Sequence, residues 1–163
     1  MDSNLSLQLG FKGQLALNAQ AVPMQEGYLK LGGIVDATNQ SSGLKFGVVV
    51  SAPADDPTAI IAGAGSGNII RGISVFDDAI AQNAPAHPDK YLAGMPCAFI
   101  NKGLVKIMSW ETGKDPEIGY KVQFKDADGV LGFVSSSADA SHTLLANATV
   151  VEVTDDGAYV WLG

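Results

Sequence analysis

Tyr120-Lys121-Val122-Gln123-Phe124-Lys125-Asp126-Ala127-Asp128-Gly129-Val130-Leu131-Gly132-Phe133-Val134 is the stretch that decides the fold class. Residues 120–125 alternate apolar and polar side chains without a slip, the period of a strand with one buried face. Asp126 to Gly129 supply turn residues and Val130 to Val134 form a second β-prone run, so the segment reads as a hairpin. Downstream, Thr149 to Thr154 and Ala158 to Leu162 flank Asp155-Asp156-Gly157 in the same way. Upstream, Cys97 to Ile100 and Leu104 to Met108 flank Asn101-Lys102-Gly103, where glycine supplies the positive φ of a turn. Three successive hairpins predict an all-β fold, a compact antiparallel β-barrel or sandwich.

The first half of the chain is punctuated more heavily. Leu5, Leu7, Leu9 and Phe11 alternate with Ser6, Gln8 and Gly10, which puts four apolar side chains on one face of a strand near the chain start. That face either pairs with another subunit or is buried in the domain core, since both require the same alternation. A further strand is expected over Leu44 to Val50, followed by a loop from Ser51 to Thr58 that contains Pro53 and Pro57. One or two short connecting helices are expected, at Asp77 to Asn83 and Asp139 to Asn147, each opened by an acidic residue suited to a cap.

A chain of 163 residues fits a single β-rich domain over 1–163, with an extended N-terminal strand over 1–12. No segment approaches the ~18 apolar residues of a membrane span, and no membrane partner is expected. Net charge is −7 and Arg71 is the only arginine among ten basic residues, which argues against nucleic-acid binding, because phosphate neutralisation needs clustered cations. Charged residues make up 17% of the chain, well under the roughly 25% of typical soluble domains. Such a surface suits either cover by protein partners or a small low-charge domain. The single cysteine, Cys97, excludes an internal disulfide and, beside Ala98 and Phe99, reads as a buried apolar group in a reducing compartment.

The search for chemistry returns little. Gly63-Ala64-Gly65-Ser66-Gly67 follows an apolar run as a phosphate loop would, but Asn68-Ile69-Ile70 stands where Gly-Lys-Ser/Thr or a third spaced glycine is required, so it reads as a turned connection. His87 and His142 are the only histidines, and Ser141, His142 and Asp139 lie too close along one backbone to aim at one another as a relay. One cysteine and two distant histidines cannot make the usual structural zinc site. Asp126-Ala127-Asp128-Gly129 starts like a calcium loop and then runs into apolar residues, so it reads as a hairpin turn. Asp55-Asp56, Asp77-Asp78 and Asp155-Asp156 read as turns or helix starts, and two such pairs meeting in space would make a hard-cation site. Trp110, Tyr120, Tyr159 and Trp161 would suit a sugar-stacking platform, but Tyr159 and Trp161 share one strand face and read first as core or interface anchors. No catalytic residue, cofactor or metal is expected.

The order of segments resembles that of small structural cement proteins of tailed double-stranded DNA phages. The resemblance is carried by Gly13-Gln14-Leu15-Ala16, Leu44-Lys45-Phe46-Gly47-Val48-Val49, Arg71-Gly72-Ile73-Ser74-Val75, Tyr91-Leu92-Ala93-Gly94-Met95-Pro96 and Gly103-Leu104-Val105-Lys106-Ile107, glycine-punctuated strands that other small barrels can imitate. It implies a non-enzymatic virion protein, made in the host cytoplasm, that binds the capsid exterior as a homo-oligomer, most often a trimer, and bridges major capsid protein subunits. The family has no active-site residues to carry over, and the long end after Trp110 departs from the pattern. Leu5, Leu7, Leu9 and Phe11 are the expected protein interface. A tail or fibre component, or a carbohydrate-binding β module, are the alternatives.

Overall fold

The computed structural model describes residues 21–23, 29–77 and 89–163 of the chain. In chain order the strands are β1 (Ala21–Pro23), β2 (Leu29–Val35), β3 (Leu44–Lys45), β4 (Val49–Ala52), β5 (Ala59–Ala62), β6 (Ile69–Ser74), β7 (Lys90–Tyr91), β8 (Pro96–Ile107), β9 (Lys121–Lys125), β10 (Leu131–Val134), β11 (His142–Thr154) and β12 (Gly157–Leu162). The described residues contain no helix, and the fold is all-β.

The fold is organised around β8, whose two halves serve two sheets. Its first half is flanked by β2, with Gly32 opposite Ala98, and by β6, with Ser74 opposite Phe99. From β6 the pairing continues through β4 and β5 and returns to β2, closing a five-stranded barrel. Its one parallel pairing is β2 with β5, Val35 opposite Ile60, so the expected antiparallel barrel carries one exception. The second half of β8 pairs with β12 on one side and β1 on the other, and the sheet runs on through β11 and β9 to β10. All four residues of β4 are buried, as are Val122, Gln123 and Phe124 of β9, because barrel and sheet cover each other in one continuous apolar cluster.

The second and third expected hairpins are present. In β9–β10 Phe124 faces Leu131, and in β11–β12 Thr154 faces Gly157 across Asp155-Asp156. The first is not a hairpin. Asn101-Lys102-Gly103 lies inside β8, where β2 loses register: Leu29 opposes Lys102 and Lys30 opposes Ile100, leaving Asn101 as the extra residue of a bulge. Glycine with φ 112 at position 103 lets the strand bend from one sheet into the other rather than turn back. Long-range partners on both sides satisfy the backbone that a local hairpin would have paired.

Further expectations are corrected, and two lie outside the described residues. The run Leu44 to Val50 is broken at Gly47, φ 75, into β3 and β4, so that Phe46 packs edge-on against Tyr91 at 4.9 Å, and Ser51 belongs to β4 rather than to the following loop. The helix expected at Asp139 to Asn147 is instead a turn followed by the start of β11, in which His142 to Leu144 pair with Lys125 to Gln123. Asp139 caps nothing: fully buried Gln123 requires hydrogen-bond partners and takes them from Asp139, donating to its carboxylate at 2.6 Å and accepting from its N–H at 2.9 Å. The helix expected at Asp77 to Asn83 lies outside the described residues beyond Asp77, and so does the strand carrying Leu5, Leu7, Leu9 and Phe11.

Candidate functional site

Among the described residues, His142 and Asp139 are engaged in side-chain contacts and Cys97 is buried. The His142 Nε2 lies 2.6 Å from the Glu111 carboxylate and its Nδ1 2.8 Å from the Ala140 carbonyl. Both neighbours are hydrogen-bond acceptors, an arrangement that engages both ring nitrogens and favours the protonated ring. The same two hydrogen bonds, Ala140 first, hold its pKa above the ordinary histidine value. Asp139 is paired with Lys114 at 2.7 Å, which lowers its pKa, and is not aimed at His142 as a relay partner. His87 lies outside the described residues. Burial pushes the Cys97 thiol up to about 12, so the buried small-hydrophobe reading holds. Gly63, Gly65 and Gly67 all have positive φ in a tight β5–β6 connection packed on the Asp126–Gly129 turn, with Ala64 N–H donating to the Asp126 carbonyl at 2.9 Å. Among the described residues no three His, Cys, Asp or Glu side chains are placed to hold a metal.

What the structure offers a partner is surface. Along β12, buried Val160 and Leu162 alternate with outward Tyr159 and Trp161, the period-two consequence of a strand with one wet face. Cross-strand register sets Trp161 beside Thr149 of β11 and Leu104 of β8, and Tyr159 beside Glu152 and Lys106. Lys106 lies 5.8 Å from the Tyr159 ring centre and 2.5 Å from the Asp156 carboxylate, so it frames the face with a fixed charge. Trp161 is 42% exposed, and Val151 and Val153 along β11 are 47% and 39% exposed. Because β9 begins only at Lys121, opposite Thr149, the Val151–Thr154 end of β11 has no described strand on its outer side. Ile118, 72% exposed, stands in the turn whose Gly119 N–H donates to the Val150 carbonyl at 2.8 Å.

Trp110 does not join this face. It packs edge-on against Phe133 of β10, at the far end of the sheet order, and donates its indole N–H to Asp115 at 3.0 Å. The four aromatics therefore make no single stacking platform, and Tyr159 with Trp161 remain as an outward-facing pair on β12.

Beside the barrel, a cleft of about 320 Å³ is walled by Ile70, Arg71, Leu144, Leu162, Asn101 and Asn147. Nothing in the sequence brings these residues together; the one signal was a lone arginine inside the apolar run Ile69 to Ile73. A second cleft of about 300 Å³ between the β3–β7 ribbon and the Asp126–Gly129 turn carries Lys45 and Lys90 against Asp89 and Asp128.

A protein-family model described as structural cement protein (E217 gp24/Pam3 gp6) matches residues 2–163. No curated protein matches the chain.

Proposed function

The chain belongs to the structural cement protein family of phages, and from that premise we propose that it binds the outer surface of the capsid and bridges neighbouring major capsid protein subunits. A family match across residues 2–163 carries the coarser statement, a structural virion protein that stabilises capsids. The finer reading is supported by the outward Tyr159–Trp161 face, with exposed Val151 in the β11 bulge beside Tyr159. Aromatic anchors of this kind dominate binding energy where a partner desolvates them. A protein that binds only the assembled lattice stabilises it by its binding free energy, and about 800 Å² buried on each partner is the scale of a specific contact. Repeated by symmetry, modest contacts then resist internal pressure. The protein acts without catalysis.

Assembly as a homotrimer, with the apolar face of Leu5, Leu7, Leu9 and Phe11 pairing between subunits, belongs to the same proposal. The test is to mix purified protein with capsids assembled without it and to follow co-sedimentation, capsid melting and the mass of the free protein by light scattering. Co-sedimentation at a fixed ratio to the major capsid protein, with a higher capsid melting temperature, is expected. Capsids that neither bind the protein nor gain stability would refute the function, and a monomer at micromolar concentration would refute the trimer.

A further inference from the structure

Arg71 is the sole arginine of a chain with net charge −7, and β6 holds it in a confined place. Next to it, Gly72 presses so closely on β8 that an added Cβ would collide with the Ile100 carbonyl oxygen. The Arg71 guanidinium carbon lies 5.9 Å from the Phe99 ring centre. Its Nε is buried and, among the described residues, is the single buried side-chain nitrogen or oxygen without a hydrogen-bond partner. A buried charged donor left unpaired is costly, and native folds rarely keep one without a reason. No carboxylate of the described chain is paired with it.

The surroundings are those of a receptor. Ile70, Leu144 and Leu162 give the cleft apolar walls, while Asn101 and Asn147 contribute amides, the mixture of apolar lining and few polar groups that marks binding pockets. Asn101 is the bulged residue of β8, and bulges commonly re-aim side chains beside sites. Asn147 has φ 58, a left-handed backbone that is sparsely populated outside glycine and clusters at functional positions. Its carbonyl accepts the Gly163 N–H at 2.9 Å, which fixes the backbone around its amide.

We propose that this cleft receives an acidic side chain of a capsid subunit, an aspartate or glutamate on an apolar-flanked segment, with Arg71 as its counter-ion. The inference rests on the capsid-binding reading above. A guanidinium offers a carboxylate two parallel N–H donors, a planar fork that an ammonium lacks. One cation between apolar walls suits a single carboxylate, whereas a nucleic-acid backbone needs clustered cations.

The experiment has two arms. In the first, undecorated capsids of the encoding phage are titrated with wild-type protein, Arg71→Gln, Arg71→Lys and Asn101→Asp, each checked for an unchanged unfolding midpoint. Arg71→Gln should bind about thirtyfold or more weakly, the low end for truncating one member of a desolvated charge pair. Arg71→Lys should recover only part of the affinity. Asn101→Asp, at an exposed residue lining the same cleft, should weaken binding by placing a competing carboxylate near Arg71. Wild-type affinity in a folded Arg71→Gln or Asn101→Asp protein overturns the inference and leaves capsid binding standing. The second arm needs no capsid. Because there is one arginine, its Nε–Hε gives a single assignable signal in 15N-labelled protein, to be titrated with acetyl-Leu-Glu-Leu-amide and acetyl-Leu-Gln-Leu-amide. A shift with the glutamate peptide alone supports a carboxylate receptor even if capsid binding fails. No shift, or equal shifts with both peptides, overturns it.

Discussion

Replacing Gly129 by alanine should loosen the seam between barrel and sheet, and the size of the effect follows from the backbone around it. Gly129 has φ 73, and holding an alanine in that left-handed region costs about 1–2 kcal/mol. An added Cβ would also collide with the Val49 carbonyl oxygen and lie 2.8 Å from the Gly63 nitrogen. All of these are main-chain atoms, so no side-chain rotation relieves the contact. The β9–β10 turn must move off β4, which sacrifices the hydrogen bond from Val49 N–H to the Gly129 carbonyl, 2.8 Å, and strains the one from Ala64 N–H to Asp126, 2.9 Å. At about 1 kcal/mol each, and more where a buried group is left unpaired, the total comes to about 3–5 kcal/mol. Gly113 is the control: its φ is 80 but an added Cβ meets nothing within 4 Å, so Gly113→Ala should cost only the conformational ~1–2 kcal/mol. Urea unfolding followed by tryptophan fluorescence measures both. Equal losses in the two variants, within about 0.5 kcal/mol, would refute the claim that close backbone contact joins the two halves, since additivity errors are of that order.

The charged His142 should make stability depend on pH: its folded pKa is raised by the Ala140 and Glu111 hydrogen bonds, so its contribution is complete below about 6.5 and is lost as pH rises through the folded value. His142→Asn should therefore lower the urea midpoint more at pH 5.5 than at pH 9.5, and an equal loss at both would show that the ring is neutral. Cys97 should resist a disulfide-exchange reagent at pH 8 until the protein is unfolded in urea, because burial pushes its thiol up to about 12; rapid labelling of folded protein would contradict that burial. Trp161→Ala should leave the unfolding free energy within about 1 kcal/mol of wild type, since the ring is 42% exposed, yet weaken capsid co-sedimentation at least tenfold; unchanged binding would remove β12 from the interface. Deleting residues 1–11 should abolish oligomerisation while keeping most of the melting temperature, whereas unfolding would assign Leu5, Leu7, Leu9 and Phe11 to the core, at about 1.5–3 kcal/mol per side chain.

What could be read in the sequence was local. Asp126–Gly129 and Asp155–Gly157 are turns whose chemistry sits within four residues, and both hairpins formed in the expected places. Asn101-Lys102-Gly103 carries the same turn chemistry, but there the outcome was settled by β2, β6, β12 and β1, partners far along the chain that no local pattern exposes. Asp139 looked like a helix cap because its distant partners Lys114 and Gln123 were invisible. Tyr159 and Trp161 were legible as a shared strand face, but which side of the sheet is wet depends on where the barrel packs. The cleft was not legible at all, since it joins Arg71, Asn101 and Asn147 from three separate strands.

The continuity of β8 also has a mechanical consequence. At about 3.4 Å per residue its twelve residues make one bent strand with a contour of roughly 40 Å, hydrogen-bonded into the barrel at one end and into the sheet at the other. Tension applied between barrel and sheet, as by a shell swelling under the crowding of its contents, has a path along the covalent backbone of this strand. To pull barrel from sheet, β2 and β6 must shear from one end, or β12 and β1 from the other, with their bonds loaded together rather than unzipped one at a time.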